Sequence, residues 1–414
     1  MNELKPGGHA VAETNPDGIA EADVVIGLFA SGNAANMELA VAKASGGARR
    51  YYPGLRTVLA CSDAASSDGT REAFLAAPSE TPKIYMTTSP REGSKKFCFF
   101  NVVELASRLK AKAVVTFEAR ITTTKKTWFP RLLDPILKNG ACFTSPIYSR
   151  HPFDLPITHL LSYPLFRALF GRRIRNPHLG DAAFSGSLNA VYMNSAWPLE
   201  PDFSSVELAT AALAVSHGPV FQSFMADPRV GSSRRHIDLG VSEEFCATLR
   251  SFYELMILYP KLWKKSRNSR PTPITGTDLK GDVLPPRELL GDQKSYLALI
   301  ADAARSTRDV WEKEFPAHLP LWQALRDPSP AGVKVTAAQW ADLVYSGAAA
   351  YRSAGGGQAG GKIVAALMPV FIVRLLEYKR VSATATASQT SAHTENEAVV
   401  FEKAKPGLIA RWKD

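Results

Sequence analysis

The chain has 414 residues, of which 45% are hydrophobic and 21% charged, a composition that excludes general disorder. Lysine and arginine number 49 against 39 acidic residues, and the net charge of +10 favours anionic partners such as nucleotides, phosphorylated molecules or acidic membrane surfaces. The length predicts two folded units, and the four widely separated cysteines show no metal-binding spacing and no disulfide framework, which fits a reducing, cytoplasmic setting.

The N-terminal half alternates short β-branched runs with helical patterns, which is typical of a parallel sheet built from βαβ units. The segment before it, 1–22, has no apolar stretch of signal-peptide length, so we predict a flexible leader there. Predicted strands are Val24–Phe29, Thr57–Ala60, Lys83–Met86, Ala113–Phe117 and Cys142–Ser145; predicted helices between them are Asn33–Lys43, Thr70–Ala76, Lys95–Leu109 and Trp128–Leu137.

Beyond the sheet, the pattern becomes helical. We predict one α/β domain over 23–242, with a Gly-rich turn region at Gly180–Ser187, and a helical region over 243–380. The apolar run Ile363–Leu376 is too short to span a bilayer and contains Pro369 and Arg374, so it predicts a buried or interfacial helix rather than a transmembrane segment. Residues 381–397 are rich in Ser, Thr and Ala without periodicity, and the tail 381–414 is predicted to be largely disordered.

Polar residues follow the first two predicted strands. In an open α/β sheet, ligands bind at the carboxyl ends of strands, which places Ala30, Ser31 and Asp63 where a nucleotide would meet the sheet. A carboxylate at Asp63 can accept hydrogen bonds from a base or ribose. Asp68 has the same potential, although Asp68-Gly69-Thr70 is more typical of a turn that caps the next helix.

Two stretches resemble a known family. A strand, an Asp-containing loop and Ser67-Asp68-Gly69-Thr70 look like the start of family-2-type glycosyltransferases of the GT-A fold. The segment Tyr148–Gly186, with its Arg-His pair, Tyr-Pro-Leu-x-Arg-Ala-Leu-x-Gly and Gly-Asp-x-x-Phe-Ser-Gly, resembles glucosylglycerate and mannosylglycerate synthases. The resemblance implies an α/β, GT-A (nucleotide-diphospho-sugar transferase) fold: a mostly parallel sheet flanked by helices, here with a helical C-terminal extension.

The resemblance also implies a divalent metal, Mg²⁺ or Mn²⁺, held by an Asp-x-Asp pair and a later His. This chain departs from that pattern, because Glu118-Ala119-Arg120 stands at the acidic pair and Arg229 stands at or next to the His position. Glu118 is retained as one candidate metal ligand and donor-binding residue. We predict that Arg120 and Arg229 replace the metal in neutralising the departing diphosphate, so that the site works without a metal ion. The structural alternative is that Arg120 only pairs with Glu118.

Other site residues are implied by the same resemblance. Lys95 and Lys96 begin a helix in the region where the family contacts its donor, although a solvated helix start explains them as well. Asp181 matches the family's loop near the sugar and is assigned a catalytic role. Arg150, His151 and Ser185 are assigned to the acceptor, with a plain surface turn as the alternative for Arg150 and His151.

The implied activity is transfer of a hexose from a nucleotide-diphosphate sugar to a small hydroxy-acid-like acceptor, with retention of configuration. The implied partners are therefore a nucleotide sugar and a small anionic acceptor, without nucleic acid, and the helical region could form a homo-oligomer. A catalytically inactive nucleotide-sugar-binding or scaffold protein is the alternative, which the replaced metal positions favour. A nucleotidyltransferase is disfavoured because no Gly-rich signature follows the first strand.

The family resemblance assigns no role to a basic run that follows the predicted sheet domain. Lys261, Lys264, Lys265, Arg267 and Arg270 could hold phosphate groups or a membrane surface. Basic runs are more often solvated faces, and the sequence leaves both interpretations open.

Overall fold

The computed structural model describes residues 4–92, 94–149, 155–178, 180–198, 203–225, 228–230, 237–276, 293–328, 332–383 and 385–412. Contacts divide the chain into two compact units. Unit 1 comprises Met1–Arg150, Asn176–Arg234 and Thr272–Val283; unit 2 comprises His151–Arg175, Arg235–Pro271 and Leu284–Asp414. Residues 151–175, which the sequence analysis assigned to the first domain, therefore belong to unit 2.

Within the described residues, unit 1 is built on a nine-stranded sheet with the order β1-β4-β3-β2-β5-β7-β6-β8-β9. Seven strands share one direction, and β1 and β7 run antiparallel to them. The strands are β1 Ala10–Thr14, β2 Val24–Ala30, β3 Thr57–Asp63, β4 Lys83–Thr88, β5 Ala113–Glu118, β6 Phe143–Ile147, β7 Ala182–Ser185, β8 Val220–Phe224 and β9 Ile274–Thr275.

The helices of unit 1 flank this sheet, and those of unit 2 form a separate helical body. In chain order they are α1 Ala34–Tyr51, α2 Thr70–Ala76, α3 Lys95–Arg108, α4 Trp128–Asn139, α5 Tyr163–Phe170, α6 Gly186–Asn194, α7 Phe203–His217, α8 Ile237–Leu258, α9 Pro260–Lys265, α10 Gln293–Ser306, α11 Arg308–Glu314, α12 Leu319–Arg326, α13 Ala337–Ser353, α14 Gly357–Ser382 and α15 Ala387–Arg411. A π-helical turn, Thr158–Ser162, leads into α5.

The sequence of β2 explains why the sheet forms as it does. All seven residues of β2, VVIGLFA, are buried, as expected for a parallel strand covered on both faces. Gly27 permits α3 to approach this strand, because a Cβ added there would lie 3.0 Å from Val102. The predicted fold class, a mostly parallel α/β sheet with a helical C-terminal region, is confirmed.

Two local predictions in unit 1 are wrong. The predicted leader contains β1, which pairs antiparallel with β4, and Glu13 of β1 forms an ion pair with Arg108. The Gly-rich turn region contains β7, a short antiparallel strand inserted between β5 and β6. Both strands are only four or five residues long, so their hydrophobic alternation is too brief to be recognised in the sequence.

The predicted disorder of 381–414 is also wrong, because α15 occupies most of that segment. Its N-terminus is closed by a capping box in which Thr386 accepts from the backbone of Gln389 and Gln389 accepts from Thr386 in return. Buried ion pairs anchor the helix within unit 2, where Arg167 contacts Glu395 and Glu402. The order of α15 thus depends on distant partners rather than on a local apolar pattern.

The predicted buried helix over Ile363–Leu376 lies inside α14. Among the described residues, α14 alone has the length and apolar composition of a membrane-crossing helix, with a mean hydropathy of 1.8 in its most apolar window. In that window 67% of the residues are buried within the structure. Such burial is typical of a core helix.

Candidate functional site

The parallel strands β2, β3 and β5 end level with one another. Phe29 is paired with Glu118 and Ala30 with Asp63, so the chain turns away from the sheet at one common edge. Ala30 is buried, whereas Ser31 is exposed in the loop that follows. The predicted donor-binding positions at the ends of β2 and β3 therefore share the carboxyl edge of the sheet, where ligands of this fold class bind.

Asp63 is fully buried and its carboxylate is satisfied within the protein. It accepts from the backbone N–H of Ser66 at 3.1 Å, from the Ser66 hydroxyl at 2.5 Å and from the Tyr85 hydroxyl at 2.7 Å. These bonds fix the loop after β3. Because Asp63 is fully buried, a nucleotide can bond to its carboxylate only if this loop rearranges.

Asp68 ties the loop after β3 to the loop after β2. Its carboxylate accepts from the N–H and hydroxyl of Thr70, at 3.1 and 2.5 Å, and from the N–H of Ala34 at 3.1 Å. Gly32 donates to the Ser66 hydroxyl in the same region. The interpretation of Asp68 as a turn and capping residue is confirmed.

A charged cluster surrounds Glu118, the last residue of β5. One carboxylate oxygen, Oε2, accepts from Lys95 Nζ at 2.9 Å and from Arg120 Nε at 2.5 Å, while Oε1 lies 3.0 Å from Arg229 Nη2. The side chain of Glu118 is only 6% exposed. Burial alone would raise the pKa of Glu118, but Arg229, Lys95 and Arg120 outweigh it and hold the pKa well below its ordinary value.

Asp181 extends the cluster from the loop that precedes β7. It accepts from Arg229 Nε at 2.5 Å, from the Tyr148 hydroxyl at 2.7 Å and from the backbone N–H of Glu118 at 3.2 Å. Arg229 thus bridges two buried carboxylates, and they raise the pKa of this guanidinium even though its burial opposes the charge. Among the described residues, three cations meet two carboxylates, which leaves a surplus of positive charge within this set.

That surplus lies on the two most accessible cations. The side chains of Lys95 and Arg120 are 23% and 26% exposed, against 7% for Arg229. Among the described residues, neither Nη atom of Arg120 has a hydrogen-bond partner. The arrangement can accept an anion, and Arg120 can present two N–H-bearing nitrogens to phosphate oxygens.

The donor set does not fit the divalent metal that the resemblance implies. Magnesium-type ions need several oxygen ligands, and both Glu118 oxygens and both Asp181 oxygens already face cations or donors. No group of three His, Cys, Asp or Glu side chains with metal-binding geometry occurs in the described part of the chain. A metal role for Glu118 is therefore not compatible with this arrangement.

Lys96 does not join the cluster, although Lys95 does. Successive helix residues point about 100° apart, and the ammonium group of Lys96 is buried with a bond to the carbonyl of Pro198 at 3.2 Å. Of the two lysines predicted to contact the donor, only Lys95 lies in the charged cluster.

Ser185, predicted at the acceptor, lies at the opposite end of the sheet. It is paired with Ala113, the first residue of β5, so about 16 Å of strand separates it from Glu118. Because β7 is antiparallel, Asp181 at its start reaches the carboxyl edge and Ser185 at its end does not. Ser185 caps α6, accepting from Leu188 N. Arg150 and His151 lie outside the described residues.

Two residues near the cluster escaped the sequence analysis. Tyr148 was quoted only as the start of a motif, yet its hydroxyl binds Asp181. Glu207 of α7 lines a cavity of about 20 Å³, room for a single water molecule, together with Phe29, Thr116 and Gly180. Burial and the nearby Glu118 raise the pKa of Glu207 well above its ordinary value. Glu207 is the single charged residue in the mostly apolar run Val206–Val215, and this is the signal that could have found it.

Comparisons with known proteins give a fold-level similarity only. No family model matches the chain, and no curated protein matches it. Solved structures that match include glucosyl-3-phosphoglycerate synthase from Mycobacterium tuberculosis with Mg²⁺ and UDP, at 17% identity and a TM-score of 0.41, and the same enzyme with phosphoglyceric acid, at 18% and 0.42. Each match covers 57% of this chain and 79% of the other. The resemblance read from the sequence is confirmed as a distant structural similarity, which assigns no substrate.

Proposed function

We propose that unit 1 is a nucleotide-sugar-dependent hexosyltransferase that works without a metal ion. The observation that carries the proposal is the surplus of positive charge around Glu118 at the carboxyl edge of the sheet. A nucleotide-diphosphate sugar has the complementary charge. In such a transfer, the bond between the anomeric carbon and the diphosphate oxygen breaks, the acceptor hydroxyl oxygen bonds to that carbon, and its proton passes to the departing diphosphate.

The five clustered side chains divide into two roles in this proposal. Arg120 and Lys95 face the diphosphate and stabilise the charge that develops on it, because both are partly exposed. Arg229 is a positioning residue, since its bonds go to Asp181 and Glu118 and keep both carboxylates ionised beside the cations. The sequence, in contrast, predicted that both Arg120 and Arg229 contact the departing diphosphate.

Glu207 has a further place in this scheme. A protonated carboxylic acid in a cavity next to the cluster can donate a hydrogen bond without adding negative charge near the diphosphate. The acceptor is proposed to be a small hydroxy acid whose carboxylate is drawn by the same positive surplus, and the anomeric configuration is proposed to be retained.

A panel assay tests this function. Melting temperatures would be measured with nucleotide-diphosphate sugars of several bases and hexoses, and transfer to glycerate-like acceptors would be followed with labelled donor in EDTA. Stabilisation by a donor together with transfer in EDTA is the expected result. Strong inhibition by EDTA would refute the metal-independent mechanism.

A non-catalytic nucleotide-sugar-binding protein is the second candidate. It is favoured by the full burial of Asp181 and by the occupation of both Glu118 oxygens, which leave neither of these two carboxylates free for chemistry. Thermal stabilisation by a donor without any transfer or donor hydrolysis would support this candidate over the enzyme.

A further inference from the structure

Unit 2 carries a dense group of cations on two chain segments. One segment follows α5 and contains Arg172, Arg173 and Arg175; the other is α9 with the loop after it, 260–271. Neither segment contains an acidic residue. The cations of the second segment are Lys261, Lys264, Lys265, Arg267 and Arg270.

The backbone holds these two segments side by side. Arg270 donates its N–H to the carbonyl of Gly171 at 3.0 Å, and Arg173 donates to the carbonyl of Arg270 at 3.2 Å. Gly171 has a φ of +68°, and a Cβ there would lie 2.3 Å from the Ser266 hydroxyl, so only glycine permits this approach. The eight cations therefore form one basic surface, which we call the 172/270 surface.

Two acids of α15 lie near the 172/270 surface, and they bind mainly a cation outside it. Glu402 binds Arg167 through both carboxylate oxygens, at 2.9 and 3.0 Å, and Glu395 binds Arg167 at 2.5 Å, with Arg175 more distant at 3.8 Å. Arg167 is only 3% exposed, so these carboxylates are engaged with a buried cation. Within the described part of the chain, Lys261, Lys265, Arg267 and Arg270 form no ion pair.

The solvent exposure of these cations also indicates a binding surface. Lys261, Lys265, Arg267 and Arg270 are exposed, while Trp263 on the other face of α9 is fully buried. The helix is thus anchored by its apolar side and presents its cations outward. Helix C-termini attract cations, which accounts for Lys264 and Lys265 at the end of α9 but not for the arginines of the loop.

We propose that the 172/270 surface docks the protein onto the phosphate groups of an anionic lipid surface. Clusters of four to eight lysines and arginines are typical of segments that bind anionic lipid headgroups. Nucleic acid is disfavoured because the described residues include no exposed Phe, Tyr or Trp side chain for base stacking, and because α9, with six residues, is short for a helix that enters a DNA groove.

Vesicle co-sedimentation of the full chain tests the docking. Phosphatidylcholine vesicles containing phosphatidylglycerol would be compared with phosphatidylcholine alone, at low and high salt. Binding to the anionic vesicles only, released by salt, is expected. Changing Lys261, Lys265 and Arg267 together to Gln should lower the partition coefficient about 100-fold, since each cation near the surface contributes roughly 1 kcal/mol.

A matched variant separates a local surface from net charge. Lys334→Gln, Lys362→Gln and Arg380→Gln remove the same charge from exposed positions of unit 2 that form no ion pair among the described residues, and binding should be unchanged. Circular dichroism establishes that both variants are folded. Equal loss of binding in the two triple variants, or no binding to anionic vesicles, overturns the proposal.

Two further binding measurements distinguish a lipid surface from other anionic partners. Tighter binding to duplex DNA than to the vesicles, lost in the first triple variant, would assign the surface to nucleic acid and overturn the lipid assignment. Displacement from vesicles by inorganic phosphate at a matched phosphate concentration would assign it to a small anion, with the same consequence. The result does not depend on the nucleotide-sugar proposal, because none of the substituted residues lies in unit 1.

Discussion

Unit 1 and unit 2 both bury an arginine between two carboxylates, and the two arrangements differ in their charge balance. Arg229 joins Asp181 and Glu118, and two more cations approach Glu118 from the exposed side. Arg167 joins Glu395 and Glu402, and among the described residues no other cation donates a hydrogen bond to either carboxylate, although Arg175 lies 3.8 Å from Glu395 and Lys405 interacts electrostatically with Glu402. Among the described residues, the first arrangement has more cations than carboxylates, and two of them are accessible; in the second, one buried cation donates all the charged hydrogen bonds.

This difference separates a ligand site from a structural cross-link. A balanced buried network satisfies its own members and gains nothing from a further ion. A network with surplus, partly exposed cations is improved by a bound anion. Substitutions in the two networks should therefore have opposite signatures, with stability affected in unit 2 and ligand affinity affected in unit 1.

The largest expected effect is on stability, from Arg167→Met. Loss of this buried guanidinium leaves the carboxylates of Glu395 and Glu402 without their main hydrogen-bond donor. We expect this to cost about 3–5 kcal/mol of unfolding free energy. Urea denaturation measures the change. Arg175→Gln is the control, because its side chain is 46% exposed and should cost under about 1 kcal/mol. Equal effects of the two substitutions would contradict a buried cross-link.

Arg120→Gln should show the opposite signature. The affinity for a nucleotide-diphosphate sugar should fall about 10- to 100-fold, because a charge-assisted hydrogen bond contributes about 1.5–3 kcal/mol. Isothermal titration calorimetry measures this change. Arg108→Gln removes an arginine that pairs with Glu13 on the surface of the same unit, and it should leave the affinity unchanged. A similar loss of affinity in both variants would argue against a local diphosphate contact.

Glu207→Gln tests the protonation of the acid beside the cluster. Because the pKa of Glu207 is raised in the folded protein, the folded state binds the extra proton, and the wild type loses stability as pH rises above the ordinary glutamate pKa of about 4.3. Gln stays neutral, so the variant should gain relative stability by up to about 1.4 kcal/mol per pH unit in that range. Unfolding at pH 5 and pH 7 measures the gain.

The contribution of Glu118 to stability should change with pH in the opposite direction, and Glu118 serves as the comparison. Its pKa is lowered on folding, so its contribution to stability is present above the ordinary glutamate pKa and is lost as pH falls below it. The relative stability of Glu207→Gln should therefore respond at pH 5–7, where Glu118 does not titrate. A pH-independent difference between the variant and the wild type would show that Glu207 is ionised in the fold.

The smallest effect concerns the order of α15. Thr386→Ala removes its N-terminal cap and should cost about 1 kcal/mol. Thr336→Ala removes the same capping box from α13 and should cost a similar amount. A measurable cost for Thr336→Ala with none for Thr386→Ala would indicate that α15 is not folded onto unit 2.

The central sheet could be predicted from sequence because its signals are local. The β2 run VVIGLFA and the helices after each strand are continuous patterns, and the predicted starts of β2, β3, β4 and β5 agree with the structure. The convergence of Lys95, Glu118, Arg120, Asp181 and Arg229 followed from strand ends and from the family resemblance. These features depend on neighbours along the chain or on a known motif.

The wrong predictions share a physical cause, because each concerns a residue or element whose position is set by a partner distant in sequence. Ser185 was misplaced because the direction of β7 is set by its pairing with β5, and direction decides which end reaches the site. Lys96 was misplaced because its orientation depends on Pro198, about 100 residues away. The order of α15 depends on Arg167, more than 200 residues earlier.

Strand β1 has a consequence for the solubility of the whole sheet. It covers the outer edge of β4, and an irregularity in register between Ala10 and Ala12 interrupts the regular ladder along this border. Uncovered strand borders offer unpaired N–H and C=O groups to other chains, and such a break makes the border a poor template for them. A chain shortened to begin at Asp23 would keep every residue of the charged cluster and yet uncover β4, and aggregation would follow from the loss of one five-residue strand at the border of the sheet.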